Sequence, residues 1–314
     1  MKTEPVFPKV VRIEPAGACN LRCQHCPTGL ISMERGIMSV DVFRKTIEDL
    51  QRLKASVETV VLYHGGEPLI NKSFFEFLKE VKEQLYVKVK TVTNGMLLNE
   101  GMINKIIESE LDEIEISLDG EALSVNDLIR RNSSGRKVLA GIKALQEKRR
   151  LSGRRNLKIT VSHVYFLKKT SGGRATLPSA QSMPSWISRE LGSSAGEVAF
   201  KSTPAMTWPD FKVNGELFDL VSIRRQKEFL KRCDNMENTI TIRWNGDVVA
   251  CCFDLTSKLV MGNIMKNRLD EIWASSVYGR LREQIAGGCP EGICKSCNQI
   301  APRQWFLALK NHSI

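Results

Sequence analysis

Long apolar runs are missing from this sequence of 314 residues. None approaches the roughly 20 residues that a helix needs to cross a bilayer, so we do not expect a membrane protein. The first residues, MKTEPVFPKVVRIEP, carry charges but neither an apolar core segment nor a small-residue cleavage site, and so no secretory signal. The sequence therefore predicts a cytoplasmic protein, in which thiols commonly bind metals or act in catalysis.

Aromatic residues do not interleave with the basic clusters, as they do on surfaces that bind single-stranded nucleic acid. The chain has 46 Lys and Arg against 35 Asp and Glu, a net charge of +11. This balance suits an anionic substrate, an acidic protein partner or nucleic acid. The clusters are EKRRLSGRR (147–155), LKK (167–169) and IRRQK (223–227).

Six β-rich stretches punctuate the first two thirds of the chain, and amphipathic stretches with helical spacing separate most of them. This alternation predicts repeated βα units and a parallel sheet, so the fold class is α/β. The β-rich stretches are 9–15, 58–66, 87–95, 112–120, 157–166 and 196–202, and the helical ones are 40–54, 72–85, 100–111 and 136–148. Residues 170–190, rich in Ser, Gly and Pro, give only a broken helical pattern.

The sequence changes in character from about residue 226. TITIRWNGDVVACC (239–252) predicts a hairpin around Asn245 and Gly246, and residues 267–286 predict a helix. We therefore expect two domains, one over residues 1–210 and a smaller one over residues 226–314.

Three of the nine cysteines lie in one short stretch, AGACNLRCQHCPTG (16–29), directly after the first predicted strand. A [4Fe–4S] cluster normally takes four thiolates, so the three thiolates of Cys19, Cys23 and Cys26 would leave one iron free. This C-x3-C-x2-C arrangement resembles the radical S-adenosylmethionine superfamily, in which the free iron binds S-adenosylmethionine. The alternative is a zinc site completed by His25 or a distant residue.

Other residues of that superfamily follow the later strands. HGGEP (64–68) looks like the motif that holds the methionine amino group, and TNG (93–95) and ISLDG (116–120) stand where the superfamily contacts ribose and methionine. The resemblance implies a partial (βα)6 barrel that binds S-adenosylmethionine. The residues it assigns to the cofactor are Gly65, Gly66, Glu67, Pro68, Asn94, Ser117 and Asp119.

Arg130 and His25 are two further candidates. Relatives often use an arginine at the position of Arg130 for the cofactor carboxylate but usually follow it with glycine, where this chain has Arg131. A charge exposed at a helix end is the alternative for Arg130. His25 stands where relatives favour an aromatic residue near adenine, so we expect it to pack there. We expect His163 to be a hydrogen-bonded core histidine.

A second set of cysteines lies in the C-terminal part. The spacing from Cys233 through Gly246 to Cys251, followed by the CKSC of Cys294 and Cys297, resembles the SPASM domain, which carries auxiliary iron–sulfur clusters. No cysteine follows Cys297, as in the shortened version called a twitch domain. The resemblance implies one auxiliary [4Fe–4S] cluster on these four cysteines; a zinc ribbon is the alternative.

Two cysteines of that region are left over. Cys289 could replace one of the four ligands. Cys252 could give a hydrogen atom to a substrate radical if its thiol faces the barrel mouth, and a small buried hydrophobic side chain is the alternative.

The resemblance implies an enzyme that cleaves S-adenosylmethionine to a 5′-deoxyadenosyl radical and abstracts a substrate hydrogen. We expect oxidation or epimerisation of a carbinol carbon in a sugar or aminocyclitol, a small molecule in preference to a peptide. Modification of a ribosomal peptide or protein is the alternative; it is disfavoured because the core begins within about ten residues of the start and leaves no room for a leader-binding domain. RNA modification is a third and weaker class.

Electrons for such chemistry come from another protein. The positive surface suits an acidic flavodoxin or ferredoxin as the electron donor. We expect it to dock on the 147–155 cluster, at Arg149, Arg150, Arg154 and Arg155.

Overall fold

The computed structural model describes residues 6–168 and 182–310. Most of the 170–190 stretch, and Lys169 of the second basic cluster, therefore lie outside the described residues. The α-helices are α1 (Pro27–Leu30), α2 (Val40–Leu53), α3 (Phe74–Leu85), α4 (Glu100–Glu108), α5 (Leu123–Ile129), α6 (Gly135–Leu151), α7 (Ser185–Leu191), α8 (Asp234–Asn238), α9 (Leu269–Ala274) and α10 (Ser276–Ala286).

The strands of the described ranges form one large sheet and two small ones. They are β1 (Val10–Ile13), β2 (Arg22–Cys23), β3 (Thr59–Leu62), β4 (Lys88–Thr93), β5 (Glu113–Asp119), β6 (Arg130–Arg131), β7 (Lys158–Tyr165), β8 (Ala199–Pro204), β9 (Phe218–Arg224), β10 (Thr239–Ile242), β11 (Asp247–Val249), β12 (Val260–Asn263) and β13 (Arg303–Leu309).

The large sheet has nine strands in the order β12-β11-β10-β1-β3-β4-β5-β7-β8. The six strands predicted from the β-rich stretches, from β1 to β8, all pair in parallel. The predicted α/β class and the partial barrel of βα units are confirmed. Because all six strands point the same way, their carboxyl ends meet at one edge, where βα folds place their sites.

Helices cover the outside of the sheet through apolar faces that the sequence pattern predicts. Phe43, Ile47 and Leu50 recur at helical spacing on α2 and are fully buried. Phe43 stacks on Phe77 of α3 with ring centroids 3.9 Å apart. Ser39 begins α2 by accepting the Val42 amide hydrogen bond at 3.3 Å, the usual role of a serine at this position.

The helix predicted over residues 267–286 is broken in two. α9 ends at Ala274, and Ser275 takes an extended conformation with ψ 155°. Its hydroxyl then accepts the amide hydrogen bond of Tyr278 and so caps α10. Serine competes with the backbone for hydrogen bonds, which is why a continuous apolar periodicity did not guarantee one helix.

The C-terminal segment continues the sheet of the barrel. β10 pairs in parallel with β1, from Val10 opposite Thr239 to Ile13 opposite Ile242. β10 and β11 form the predicted hairpin, in which Gly246 has a positive φ of 85°. β9 lies between the two expected domains in sequence and pairs antiparallel with β13. The exact domain boundary stays a prediction.

The 147–155 basic cluster lies at the opposite edge of the sheet from the cysteine loop. It spans the end of α6 and leads into the amino end of β7, whereas the cysteines follow the carboxyl end of β1. Arg149 donates to the Leu157 carbonyl at 3.1 Å, and Arg154 donates to that of Leu111 at 3.3 Å. These arginines therefore hold backbone carbonyls, and the expected docking position for an electron donor is far from the cysteines that it would serve.

None of the helices in the two described ranges has the length and apolar character needed to span a membrane.

Candidate active site

A cavity of about 370 Å³ opens where the cysteine loop crosses the carboxyl edge of the sheet. Cys19, Cys23 and Cys26 all line it. The cofactor residues expected from the sequence that also line it are His25, Gly65, Gly66, Glu67, Asn94, Ser117 and Arg130. Pro68 is buried at the start of a 3-10 turn over Pro68–Ile70 and is not part of the cavity wall.

Short backbone contacts shape the cysteine loop. Cys23 in β2 pairs with Arg130 in β6, and the Cys26 amide donates to the Cys23 carbonyl at 3.2 Å. The Leu21 amide donates to Cys19 Sγ at 3.5 Å, and Asn94 Nδ2 lies 3.9 Å from the same sulfur. The loop thus turns three thiols toward one space instead of toward the core.

Burial makes two of these thiols, Cys19 and Cys23, weak acids in the absence of a cation. It raises the pKa of Cys19 to about 11 and that of Cys23 to about 12. A bound metal cluster reverses this, because it stabilises the thiolate form directly. In the described ranges, no three His, Cys, Asp or Glu side chains converge as they would around a single metal ion. A soft donor set of three thiols around a cavity fits an iron–sulfur cluster.

His25, the expected packing residue, lies between an anion and an aromatic ring. Its Nε2 is 3.7 Å from Asp119 Oδ2, and its ring meets Phe166 edge-on with centroids 6.0 Å apart. Burial lowers the pKa of His25 to about 4, so the imidazole is neutral at neutral pH. These contacts support packing and offer no partner for acid–base work.

The structure directs Asp119 away from the cavity. Its Oδ2 forms a buried ion pair with Arg130 Nε at 2.7 Å, and its Oδ1 accepts the Val164 amide hydrogen bond at 3.0 Å. Burial alone would raise the pKa of Asp119, but Arg130 and His25 outweigh it and hold the pKa below its ordinary value. Asp119 is therefore placed to orient Arg130, which is buried and not an exposed helix-end charge.

The HGGEP loop is held against the cysteine loop by its backbone. A Cβ on Gly66 would overlap the carbonyl oxygens of Ala16 and Ala18, so only glycine fits there. The Glu67 carboxylate accepts from the Asn94 amide at 2.8 Å and from the Thr93 hydroxyl at 2.8 Å. Burial raises the pKa of Glu67 to about 7 despite these bonds.

A buried ion pair behind this loop was missed by the sequence reasoning. Glu14 accepts the Gly65 amide hydrogen bond at 3.0 Å and pairs with Arg243 Nε at 3.0 Å. Burial would raise the pKa of Glu14, but His64 and Arg243 lower it further, to about 2. The sequence feature that could have indicated this pair is Glu14, an acidic residue at the end of the apolar strand in VVRIEP.

Charged side chains inside the barrel were also missed. Arg12, Lys90, Glu115 and Lys201 line the cavity from β1, β4, β5 and β8. Both Lys90 and Lys201 contact the Glu115 carboxylate, Lys201 at 3.4 Å. The signal in the sequence is a charge at alternate positions of predicted strands, as in VKVKTV and DEIEIS.

The four predicted auxiliary-cluster cysteines lie near one another, with Cys252 close to three of them, Cys233, Cys251 and Cys297. Cys251, Cys294 and Cys297 are buried, and Cys233 is half-buried. Burial, together with the charges of Cys297 and Cys233, raises the pKa of Cys294 to about 12. Burial likewise raises the pKa of Cys297 to about 11, with Cys233 among its neighbours. Four thiols form a soft donor set, which fits an iron–sulfur cluster as the three thiols of the cysteine loop do.

The roles considered for the two remaining cysteines stay predictions. Cys252 does not line the cavity, and its thiol lies 3.6 Å from Asn235 Oδ1. Its charged neighbours also include Arg12, which does line the cavity. Cys289 is exposed in the loop after α10, whereas three of the four grouped cysteines are buried.

The other expected histidine is a core residue. His163 on β7 is buried, with Nδ1 3.1 Å from the Ser202 hydroxyl and Nε2 3.0 Å from the Gly120 carbonyl.

A parallel partial barrel with three thiols at its carboxyl edge and a second thiol group behind it is the architecture of a radical S-adenosylmethionine (SAM) enzyme. Residues 13–165 match the family model of the radical SAM superfamily, and residues 233–298 match SPASM, an iron–sulfur cluster-binding domain. The chain belongs to the radical SAM superfamily and carries a C-terminal SPASM domain. Its cofactors are a [4Fe–4S] cluster, S-adenosylmethionine and an auxiliary iron–sulfur cluster.

Individual relatives extend over most of the chain. Mycofactocin maturase MftC of Mycobacterium tuberculosis is 26% identical over 291 residues, which cover 88% of this chain and 73% of that protein. PqqA peptide cyclase of Granulibacter bethesdensis is 28% identical over 170 residues, 52% of this chain and 42% of that protein. The structure of SuiB from Streptococcus suis bound to precursor peptide SuiA has a TM-score of 0.57 at 16% identity, covering 89% of this chain and 67% of that one.

The expectation of a small-molecule partner in preference to a peptide is wrong. The similar proteins include a peptide cyclase and, in fold, an enzyme bound to a precursor peptide. The argument against peptides was the position of the core near the start of the chain. The position of the core in the sequence does not determine whether a peptide can enter the barrel. A structure with bound precursor peptide has a similar fold.

Proposed function

We propose that this enzyme modifies a ribosomal peptide or protein by abstracting hydrogen from a C–H bond. The observation that carries the proposal is the cavity itself, which joins the three thiols of the cysteine loop to a lumen lined by side chains of β1, β4, β5 and β8. A peptide residue held in the lumen would lie next to the cofactor. The likeness to mycofactocin maturase and PqqA peptide cyclase supports a peptide over a sugar.

In this proposal Cys19, Cys23 and Cys26 hold the radical SAM cluster. The cluster and S-adenosylmethionine supply the 5′-deoxyadenosyl radical when bound. Asn94 and Glu67 fix the floor beneath the cofactor by their hydrogen bonds to each other and to the strand end. Gly66 lets the glycine loop lie directly against the backbone of the cysteine loop, and both Gly65 and Gly66 line the cavity that would hold the cofactor.

The remaining polar residues position this arrangement. Arg130 lines the cavity as a cation fixed by Asp119, which suits an anionic part of the cofactor. Cys233, Cys251, Cys294 and Cys297 hold the auxiliary cluster, whose full ligation suits electron transfer. We favour net oxidation of the peptide over epimerisation, because a fully ligated auxiliary cluster can accept an electron and Cys252 is not among the residues that line the cavity. The cytoplasmic location stays a prediction.

The test is an anaerobic incubation of the reconstituted, reduced enzyme with S-adenosylmethionine and a randomised peptide library. Peptides that stimulate release of 5′-deoxyadenosine are sequenced and weighed by mass spectrometry. We expect a mass change in a defined peptide, absent in the Cys19→Ala/Cys23→Ala/Cys26→Ala variant. Deoxyadenosine release that no peptide stimulates, but that a sugar or RNA pool does, would contradict the proposal.

A further inference from the structure

The part of the cavity that lies inside the barrel carries an excess of positive charge. Three cationic side chains, Arg12, Lys90 and Lys201, line it from the strands, against one strand carboxylate, that of Glu115. The other carboxylate of the cavity lining, Glu67, belongs to the glycine loop and accepts hydrogen bonds from Thr93 and Asn94. Glu115 is buried and is shared by the two lysines. One carboxylate cannot neutralise three cations, and a cleft with low-dielectric walls concentrates the field of those that remain.

The carboxylates next to this group do not remove the excess. Glu113 lies 3.7 Å from Lys90 Nζ, but it also pairs with Lys158 at 3.1 Å. Including both Glu113 and Lys158 adds one negative and one positive charge, so the net positive charge of the group does not change. Asp119, the acid nearest the mouth, is already paired with Arg130.

Two of the cations have capacity left for a ligand. Nε of Arg12 is buried without a hydrogen-bond acceptor, and the Nη1 contact to the Tyr63 carbonyl is long, at 3.5 Å. A buried donor without a partner costs free energy unless a ligand completes it. Lys201 contacts Glu115 only at 3.4 and 3.5 Å, and 53% of its side chain is exposed. Its ammonium has three donors and is free to turn toward a ligand.

We infer that the barrel binds its substrate peptide through a carboxylate, which Lys201 and Arg12 receive inside the lumen. The inference rests on the proposed function, since it assigns chemistry to the peptide that the cavity takes. The carboxylate belongs either to an Asp or Glu side chain or to the peptide's C-terminus. Both sources present the same planar anion, which a guanidinium and an ammonium recognise by charge-assisted hydrogen bonds.

The test measures retention of matched peptide pools on the reconstituted enzyme with S-adenosylmethionine, without reductant. One pair of pools is Ac-X-X-Glu-X-X-NH2 and Ac-X-X-Gln-X-X-NH2, and the other is Ac-X-X-X-X-OH and Ac-X-X-X-X-NH2, where X is any uncharged residue. Retained peptides are counted by mass spectrometry after ultrafiltration. We expect at least one acid pool to exceed its amide partner by about tenfold, the effect of one charge-assisted hydrogen bond. The pair that shows it identifies the source.

Lys201→Gln is the test variant, and Lys158→Gln is its matched control. Both lysines contact a glutamate of β5, and their side chains are similarly exposed, at 53% and 58%, but only Lys201 lines the cavity. The acid preference should fall toward one in Lys201→Gln and persist in Lys158→Gln. Lys201→Glu should reverse it in favour of the amide pools.

Three results would overturn the inference. Equal retention of acid and amide pools by the wild type is one. An equal loss of preference in Lys158→Gln is another, because it would reflect general attraction to a chain of net charge +11. The third is a tenfold weaker affinity of Lys201→Gln for S-adenosylmethionine alone, which would assign Lys201 to the cofactor's own carboxylate.

The outcome is separable from that of the proposed function. If the randomised library yields modified peptides without any acid preference, the carboxylate inference is wrong and peptide modification stands. If acid pools are retained through Lys201 but no peptide is modified, the carboxylate site stands and the proposed reaction fails.

Discussion

The buried pair of Glu14 and Arg243 gives the most quantitative prediction. Arg243→Met keeps much of the side-chain volume but leaves the Glu14 carboxylate buried, with His64 Nδ1 3.3 Å away and no arginine partner. Removing one member of a buried ion pair typically costs about 3–5 kcal/mol, because the other charge stays desolvated without its partner. We expect a loss of unfolding free energy of that size. The Gly65 amide loses a well-fixed acceptor in the same step.

The variant should also change how stability depends on pH. In the wild type the pKa of Glu14 is about 2, below its ordinary value, so the pair's contribution is present at neutral pH and is lost only as the pH falls toward 2. Without Arg243, burial is opposed only by His64 and the pKa of Glu14 rises. The stability difference between wild type and variant should therefore be full at neutral pH and shrink as the pH falls below about 4.5, where the wild type begins to lose the pair's contribution.

Urea unfolding of the reconstituted protein, followed by tryptophan fluorescence at about pH 7 and about pH 4, measures both effects. Arg232→Met is the control, because Arg232 makes a similar pair with Glu237 at the exposed surface, and its midpoint should not move. The double variant Glu14→Gln/Arg243→Met should recover much of the loss. If Arg243→Met unfolds like the wild type, or if the double variant is the less stable of the two, the reasoning is wrong.

Two further predictions concern the glycine loop and the second cysteine group. Gly66→Ala should abolish binding of S-adenosylmethionine, measured by equilibrium dialysis, because its Cβ would overlap backbone oxygens of the cysteine loop, whereas Gly101→Ala, whose nearest neighbour is 3.6 Å away, should bind normally. Normal binding by Gly66→Ala would refute this close approach. Cys294→Ser should lower the iron content from about eight to about four per chain, and Cys289→Ser should leave it unchanged. An equal loss in Cys289→Ser would place that exposed cysteine among the ligands.

The sequence predicts the elements that depend on local pattern. The six parallel strands and the helices between them follow from apolar periodicity, which each segment carries in its own residues. The cysteine spacings are local in the same way, and the structure brings each set together. The break at Ser275 was not predicted. The apolar periodicity of α9 continues into α10, so the pattern of side chains does not reveal that the helical backbone hydrogen bonds are interrupted there.

The charges of the site depend on contacts between distant segments. Glu14 and Arg243 are 229 positions apart, and nothing in either neighbourhood identifies the other. The same holds for Asp119, whose place after a strand suggested a cofactor contact, until the fold placed Arg130 beside it. A lysine in a strand ordinarily predicts a side chain exposed to solvent. In the folded barrel, Lys201 instead lines the lumen next to Glu115.

The C-terminal segment helps to shape the cavity as well as carrying the second cysteine group. Trp244, at the hairpin between β10 and β11, lies against Gly17 and Gly36, where a Cβ on either glycine would overlap its ring. Its neighbour Arg243 holds Glu14, and Glu14 holds the Gly65 amide. The cysteine loop and the glycine loop are therefore both braced by a hairpin whose own strand, β10, is paired to β1. Because Cys251 follows this hairpin by a few residues, the segment that carries the second cysteine group also braces the loop that carries the first.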